Sequence, residues 1–262
     1  MNTLKKWILV ATMFFCVSSF ANTFTSDLSD IWWNENEPGW GVTVTHQREI
    51  VFLTFFVYAA DGRASWYTGQ AAVVGQDSRG ALIFKGDMYQ FTGPAYTTAF
   101  NPADVRSRSA GTMTFTAFLD AATLSYTVDG VAIYKSLTRQ TFRTNDASGE
   151  YVGAIKQIQS VCKSPNVNGD TNHNADISVT NTASTFTMTV RQPDGKTCSY
   201  AGDYAQTGRM GRSQGTYTCS GGLSGKYDAF EIDASIQSVS GRYFASDNYC
   251  DSVTGRFAAM RK

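Results

Sequence analysis

The second half of the sequence repeats one short signature, a glycine two residues before an aromatic residue. The copies are Gly202-Asp-Tyr204, Gly215-Thr-Tyr217, Gly225-Lys-Tyr227, Gly241-Arg-Tyr243 and Gly255-Arg-Phe257. Successive copies lie 13, 10, 16 and 14 residues apart, close to the roughly 8–12 residues that one strand and its turn occupy. A glycine beside an inward aromatic lets the ring lie over backbone. With a further copy at Gly149-Glu-Tyr151 and strand patterns at residues 177–181 and 186–191, the signature predicts a β-meander of about eight strands, enough to close a small barrel.

The first half also consists of strand patterns. Residues 41–46 alternate apolar and polar side chains, and residues 50–58 are apolar on both faces, which predicts a strand buried on both sides. Asp61-Gly62 and Asp129-Gly130 are hairpin turns. We predict an all-β protein of two antiparallel domains, each a small up-and-down barrel or a sandwich. Alternation alone leaves these two architectures open.

The N-terminus has the organisation of a secretory signal peptide. Lys5 and Lys6 precede an apolar run, residues 7–17, that is too short to span a membrane, and small residues at 19 and 21 suit a cleavage site. We therefore predict that residues 1–21 are removed. The mature chain is expected to be soluble, without a transmembrane segment, and to lie in the periplasm or outside the cell.

A polar, turn-rich stretch around Asn145 predicts the boundary between the two domains. We place the first domain at residues 22–144 and the second at 149–262. Without the two lysines of the signal peptide, 20 basic residues face 22 acidic ones. Such a balance argues against a nucleic-acid partner, because phosphate binding needs an excess of positive charge.

Cysteine and tryptophan divide between the two domains. The second domain holds the four cysteines of the mature chain, Cys162, Cys198, Cys219 and Cys250. Four cysteines in an exported protein predict two disulfides, with three possible pairings, and the lack of a CxxC pair disfavours zinc. The tryptophans of the mature chain all lie in the first domain.

The candidate ligand-binding residues form a cluster of aromatic and acidic side chains in the first domain. They are Trp32, Trp33, Glu35, Glu37, Trp40, Trp66 and Tyr67. Flat rings can stack on a ligand while carboxylates orient it through hydrogen bonds. The alternative is that adjacent Trp32 and Trp33 point to opposite faces of a strand, so that one belongs to the core.

Two further patterns carry weaker chemistry. Asn or Asp occupies every second position of residues 166–176, as in a Ca²⁺ loop, but most of the ligands would be neutral amides, so a solvated hairpin loop is favoured. Gly211-Arg-Ser213-Gln-Gly215 matches the nucleophile motif G-x-S-x-G, yet a strand rather than a helix follows it, which favours the meander. We predict no metal, no cofactor and no catalytic residues.

One segment resembles a known group of sequences. Trp32-Trp33-Asn34-Glu35-Asn36-Glu37-Pro38-Gly39-Trp40-Gly41 is similar to the W-W-N-x-x-E-S-G-W-G motif of uncharacterised exported proteobacterial proteins. The likeness continues through an aromatic strand, a turn and a W-Y strand, and the second half resembles their disulfide-bearing C-terminal part. Pro38 stands where the motif has serine. The resemblance implies an exported β protein and supplies no activity or catalytic residue.

These observations favour a non-enzymatic binding protein. Its ligand would be a small molecule, a glycan or a protein, bound through the tryptophan-rich domain. A hydrolase of envelope polymers is the enzymatic alternative, and a structural or assembly role is the third. Concentrated tryptophan without a catalytic constellation is what favours binding.

Overall fold

A computed structural model describes residues 27–262, so the predicted signal peptide lies outside the described residues. Residues 27–262 form two sets of eight strands. The first set is β1 (Asp30–Trp33), β2 (Gly41–Gln47), β3 (Ile50–Tyr58), β4 (Ala64–Gln76), β5 (Leu82–Thr92), β6 (Arg106–Phe118), β7 (Ala121–Val128) and β8 (Val131–Arg139). The second set is β9 (Gly149–Cys162), β10 (Gly169–Asn181), β11 (Thr185–Arg191), β12 (Thr197–Thr207), β13 (Met210–Cys219), β14 (Ser224–Ala234), β15 (Ser238–Asp247) and β16 (Cys250–Arg261). Two 3-10 turns, Pro102–Asp104 and Pro165–Val167, lie in connections.

Each set closes into an up-and-down antiparallel barrel in which neighbours in sequence are neighbours in space. β8 returns to β1 in the first barrel, and β16 returns to β9 in the second. The predicted all-β fold of two antiparallel domains is confirmed, and both domains are barrels rather than sandwiches. Closure pairs every strand on both sides, so neither sheet has a free edge.

The interior of the first barrel is filled by large apolar side chains. Phe55, Phe84, Phe115 and Leu124 are all completely buried. The prediction that residues 50–58 are buried on both sides is wrong: alternate residues of β3 point inward, while Phe56 between them is 50% exposed. A barrel wall has one inner and one outer face, and nothing in the described part of the chain covers this outer face.

In the second barrel, the glycine–aromatic signature pairs across neighbouring strands. Gly255 lies opposite Tyr243, and Gly241 lies opposite Phe257. A Cβ atom at either glycine would collide with the facing ring. Each ring therefore lies over the backbone of the next strand, which lets large aromatics fit inside a narrow barrel.

Both barrels are closed at one end by the same arrangement. Trp32 Nε1 donates to the carbonyl oxygen of Leu28 at 2.9 Å, and the guanidinium of Arg139, the last residue of β8, lies 4.5 Å from the Trp32 ring. In the second barrel, Tyr151 Oη donates to the carbonyl oxygen of Ala147 at 2.8 Å. Arg261, which ends β16, lies 5.0 Å from the Tyr151 ring.

The segment before each barrel repeats as well. Ser29 Oγ accepts the backbone N–H of His46 at 2.9 Å, and Ser148 Oγ accepts that of Asn181 at 3.0 Å. Each serine follows an aspartate by two residues, and its own N–H donates to that carboxylate at 2.9 Å. The two barrels are thus structural repeats of one unit, an internal relation that the overall sequence pattern conceals.

The closed ends of the two barrels face each other, and polar groups of the β12–β13 turn join them. Arg209 forms ion pairs with Asp27 of the first barrel and with Asp233 of its own barrel. Its Nε donates to the carbonyl oxygen of Ser29 at 3.2 Å, and Gly208 N–H donates to Thr141 Oγ1 at 2.8 Å. The opposite end of each barrel therefore points away from this junction.

Two disulfides confirm the prediction made from four cysteines. Cys162 pairs with Cys250 between β9 and β16, and Cys198 pairs with Cys219 between β12 and β13. Both join directly opposed residues of neighbouring strands. All four cysteines lie at the end of the second barrel that is remote from the first barrel. Within residues 27–262, no helix is long and apolar enough to cross a membrane.

Candidate functional site

The remote end of the first barrel, here called the tryptophan end, is formed around residues 34–40. The Trp40 ring stacks on Tyr126 with centroids 6.5 Å apart, and Trp40 Nε1 donates to Tyr126 Oη at 3.3 Å. Lys135 lies 5.4 Å from the Trp40 ring and pairs with Glu37. The protein itself thus already engages one face and the N–H of the Trp40 indole. Glu37, the acidic residue of this cluster, is already paired with Lys135.

The remaining candidate residues do not gather at one place. Trp32 is completely buried between Arg139 and Phe115 near the junction of the barrels, so its ring packs in the core and offers no free face. Trp33, the next residue, faces the outside of the wall and is half-buried. Tyr67 packs against the core of the first barrel, and Glu35 is exposed.

Trp66 belongs to a third location, the outer wall. It lies opposite Phe56 on β3 and stacks on Phe91 with centroids 6.0 Å apart and planes 9° from parallel. The ring is 47% exposed. The acidic and aromatic residues that are close in sequence therefore divide between the core, the tryptophan end and the outer wall, because alternate residues of a strand face opposite sides.

The Asn/Asp stretch from Gly169 onward and the G-x-S-x-G motif both belong to regular strands. The preferred interpretation of residues 166–176 as a solvated loop is wrong from Gly169 onward, because β10 begins there and pairs with β9. Among residues 27–262, no group of three or more His, Cys, Asp or Glu side chains could hold a metal ion. Ser213 lies within β13, is buried, and shares a 2.8 Å hydrogen bond with Tyr227 Oη.

A cavity of about 420 Å³ occupies the remote end of the second barrel, here called the cavity end. Its walls come from every strand of the second barrel except β14, and from the adjoining turns. The polar and aromatic residues that line it are Gln157, Gln159, Thr171, His173, Gln192, Lys196, Tyr200, Tyr217, Ser220, Tyr243, Asp247 and Tyr249. Cys198 and Cys219 also line it, so one disulfide forms part of the wall.

Tyrosines form the aromatic part of the cavity wall, beside aliphatic residues such as Ile155, Val190 and Leu223. The rings of Tyr200 and Tyr217 stack with centroids 5.0 Å apart and planes 16° from parallel, and Tyr227 meets Tyr200 edge-on at 5.4 Å. Stacked rings leave flat apolar faces that suit a planar ligand. Each of these rings thus packs against another tyrosine ring.

The tyrosine hydroxyls keep their protons at neutral pH. Burial raises the pKa of Tyr200 to about 12. Burial, together with the nearby Asp247 carboxylate, also raises the pKa of Tyr217, and burial raises that of Tyr243. Tyr217 Oη donates to Asp247 Oδ2 and Tyr243 Oη donates to Gln157 Oε1, each at 3.1 Å.

The sequence did carry a signal for this cavity. Gln157 and Gln159 on β9, and Thr171 and His173 on β10, occupy alternate positions that face the barrel interior. Polar side chains are rare on the inner face of a filled barrel, because a buried polar group is costly unless it is hydrogen-bonded. Polar side chains at alternate, inward-facing positions therefore indicate that the barrel interior is not filled. The sequence gives this signal only when the inward face of each strand is known.

No protein-family model matches this chain, and no curated protein is significantly similar to it. The resemblance to exported W-W-N proteins therefore stays a prediction. The chemistry of the cavity rests on its own residues and on general physical principles.

Proposed function

We propose that the protein is an exported, non-enzymatic binding protein that holds a small ligand in the cavity of the second barrel. The observation that carries this proposal is a cavity of about 420 Å³ lined by stacked tyrosines and a few polar side chains. Small-molecule sites typically occupy about 300–1,000 Å³ and combine apolar walls with a few polar groups. An eight-stranded barrel is just wide enough to hold one such ligand.

The tryptophan end of the first barrel supports binding less well. Trp40 is stacked on Tyr126 and bonded to it, and the Glu37–Lys135 ion pair lies beside the ring. A ligand there would have to displace contacts that the protein already makes. Ser213, the serine of the nucleophile-like motif, is bonded to Tyr227 inside the barrel, which favours binding over acyl transfer.

Two features support export to the periplasm or the exterior. The chain holds two disulfides, which persist in oxidising compartments and are rare in the cytosol. The predicted signal peptide of residues 1–21 points the same way. A small molecule is favoured over a glycan chain or a protein as the ligand, because the cavity lies inside the barrel.

Binding of the neutral fluorophore N-phenyl-1-naphthylamine tests this function. We expect the mature protein to enhance its emission at one site. Ala245 lines the cavity, so Ala245→Trp fills it and should weaken binding at least tenfold. Ala201 lies on the exposed outer face of β12, and Ala201→Trp is the matched control that should bind as wild type does.

Two further variants keep the test decisive. Ala245→Leu fills less space and replaces Ala245→Trp if that variant fails to fold, as judged by circular dichroism. Trp40→Phe removes the indole of the tryptophan end. Binding that falls with Trp40→Phe and persists with both Ala245 variants would overturn the proposal and assign the ligand to the first barrel.

A further inference from the structure

The carboxylate that faces the cavity, Asp247, is held by three hydrogen bonds from the protein. Asp247 Oδ1 accepts the backbone N–H groups of Tyr249 and Cys250, each at 2.7 Å. Asp247 Oδ2 accepts the hydroxyl of Tyr217 at 3.1 Å. Asp247 therefore orders the β15–β16 turn and the tyrosine wall, and these bonds use three of its roughly four acceptor positions while its negative charge remains.

Hydrogen-bond donors, by contrast, remain unused. Gln157 gives its carbonyl oxygen to Tyr243 and keeps its amide N–H groups, and Gln159 Nε2 has only the weak acceptor Cys250 Sγ at 3.9 Å. The buried Thr171 Oγ1 has no hydrogen-bond partner within residues 27–262. A buried hydroxyl without a partner is uncommon in native proteins.

A positive charge accompanies these donors. Lys196, in the β11–β12 turn, is half-buried and lines the cavity. Within the described chain, its ammonium group belongs to none of the ion pairs, whereas Lys135, Lys156 and Lys262 each pair with a carboxylate. An ammonium beside neutral donors, with no carboxylate of residues 27–262 at ion-pair distance, attracts an anion, because the Coulomb attraction strengthens as the site excludes water.

We infer that the cavity takes a small planar carboxylate, with its ring against the Tyr200–Tyr217 wall and its anionic oxygens toward Lys196. This inference rests on the proposed function, since it concerns the same cavity. The stacked rings select the flat part of the ligand. Lys196 and the Asp247 carboxylate together leave the cavity without excess positive charge, so a singly charged carboxylate is favoured over a doubly charged phosphate.

A pair of ligands of equal shape tests the inference. 2-Naphthoate and 2-naphthamide share one ring system and differ in charge, and their binding to the mature protein is measured by calorimetry. We expect wild type to bind the carboxylate at least tenfold more tightly than the amide. Lys196→Met should reduce carboxylate affinity to the amide level while leaving amide affinity within twofold.

Lys163 provides the matched control. It lies in an exposed connection at the cavity end and does not line the cavity. Lys163→Met should therefore leave the affinities for both ligands unchanged. If Lys163→Met and Lys196→Met weaken carboxylate binding equally, the effect is general attraction to a positive surface and the inference is wrong.

The remaining outcomes separate this inference from the proposed function. Equal affinity of wild type for naphthoate and naphthamide, both lost in Ala245→Trp, would overturn the carboxylate and leave cavity binding intact. If neither naphthalene binds while N-phenyl-1-naphthylamine still needs an open cavity, the carboxylate is again excluded. If none of the three compounds responds to Ala245→Trp, the proposed function fails as well.

Discussion

The two barrels share one frame and fill it differently. Both have eight strands in the same order, and both are closed by an arginine over an aromatic ring. The first barrel packs phenylalanine, leucine and methionine through its interior, whereas the second places tyrosines against glycines and keeps a cavity at one end. The number and order of the strands therefore do not decide whether the interior of a small barrel is filled. The inward side chains decide it, and they change without changing the strands.

The difference extends to what stabilises each barrel. An open cavity forgoes apolar contacts that a filled core would make. The second barrel has two disulfides, both at the cavity end, while the described part of the first barrel contains no cysteine. We infer that covalent links offset the weaker packing around the cavity.

Removing both disulfides should give the largest difference between the barrels. Replacing the four cysteines, Cys162, Cys198, Cys219 and Cys250, by serine should destabilise the second barrel by about 2–4 kcal/mol per bridge, because the unfolded chain loses its cross-links. All described tryptophans lie in the first barrel. The urea midpoint reported by tryptophan fluorescence should therefore stay close to that of wild type. The midpoint reported by the tyrosine signal in near-ultraviolet circular dichroism should move to a lower urea concentration. A shared shift would show that the barrels unfold as one unit.

Removing the closing arginines should give an intermediate and unequal effect. Arg139 is buried and bonds to Asp30 and to the carbonyl oxygen of Asp27, whereas Arg261 is exposed. Arg139→Met should cost about 3–5 kcal/mol, because Asp30 loses its buried partner. Arg261→Met should cost about 1–2 kcal/mol, because it removes an exposed cation–π contact together with hydrogen bonds to Ile236 O, Ser148 O and Tyr151 Oη. Urea unfolding of the two variants measures both values, and equal costs would contradict the difference in burial.

Alkaline pH should give the smallest difference in stability between the two barrels. Unfolded tyrosine ionises near its ordinary pKa of 10.0, whereas burial holds Tyr200 in the folded protein at about 12. Between these values the unfolded state has released a proton that the folded state keeps, so stability is fully present below pH 10 and falls as pH rises toward 12. Two pKa steps of about 1.4 kcal/mol each make the expected loss on the order of 2–3 kcal/mol by pH 12.

Tyr200→Phe isolates this effect, because phenylalanine does not ionise. The urea midpoint of the second barrel, followed from pH 9 to pH 12, should fall less steeply in the variant than in wild type. Parallel curves would mean that Tyr200 titrates as an exposed tyrosine does.

The sequence predicted the strands of the fold through purely local features. The hairpin turns Asp61-Gly62 and Asp129-Gly130 link β3 to β4 and β7 to β8 as expected. The repeated glycine–aromatic signature predicted the strands from β12 onward, because an inward ring requires a small residue opposite. The prediction of a solvated loop at residues 166–176 is wrong from Gly169 onward, because the alternation there belongs to a strand with one face toward the cavity.

The candidate ligand site was harder to predict, because it depends on which face each residue takes. Trp32 and Trp33 are adjacent, yet one lies in the core and the other on the outside. The cavity was missed because its walls come from strands far apart in sequence, as Gln157 and Tyr243 show by sharing a hydrogen bond across 86 positions. Residue type alone cannot bring such groups together.

By itself, the sequence determined the all-β fold class, the alternation within strands and the formation of two disulfides. These follow from local periodicity, turn chemistry and the number of cysteines. Only the tertiary structure decided that both domains close into barrels, which cysteines pair, and that Tyr200, Lys196 and Thr171 line one cavity. The reason is physical: a barrel and a sandwich share the same alternation, and strand register, set by long-range pairing, fixes which side chains meet inside.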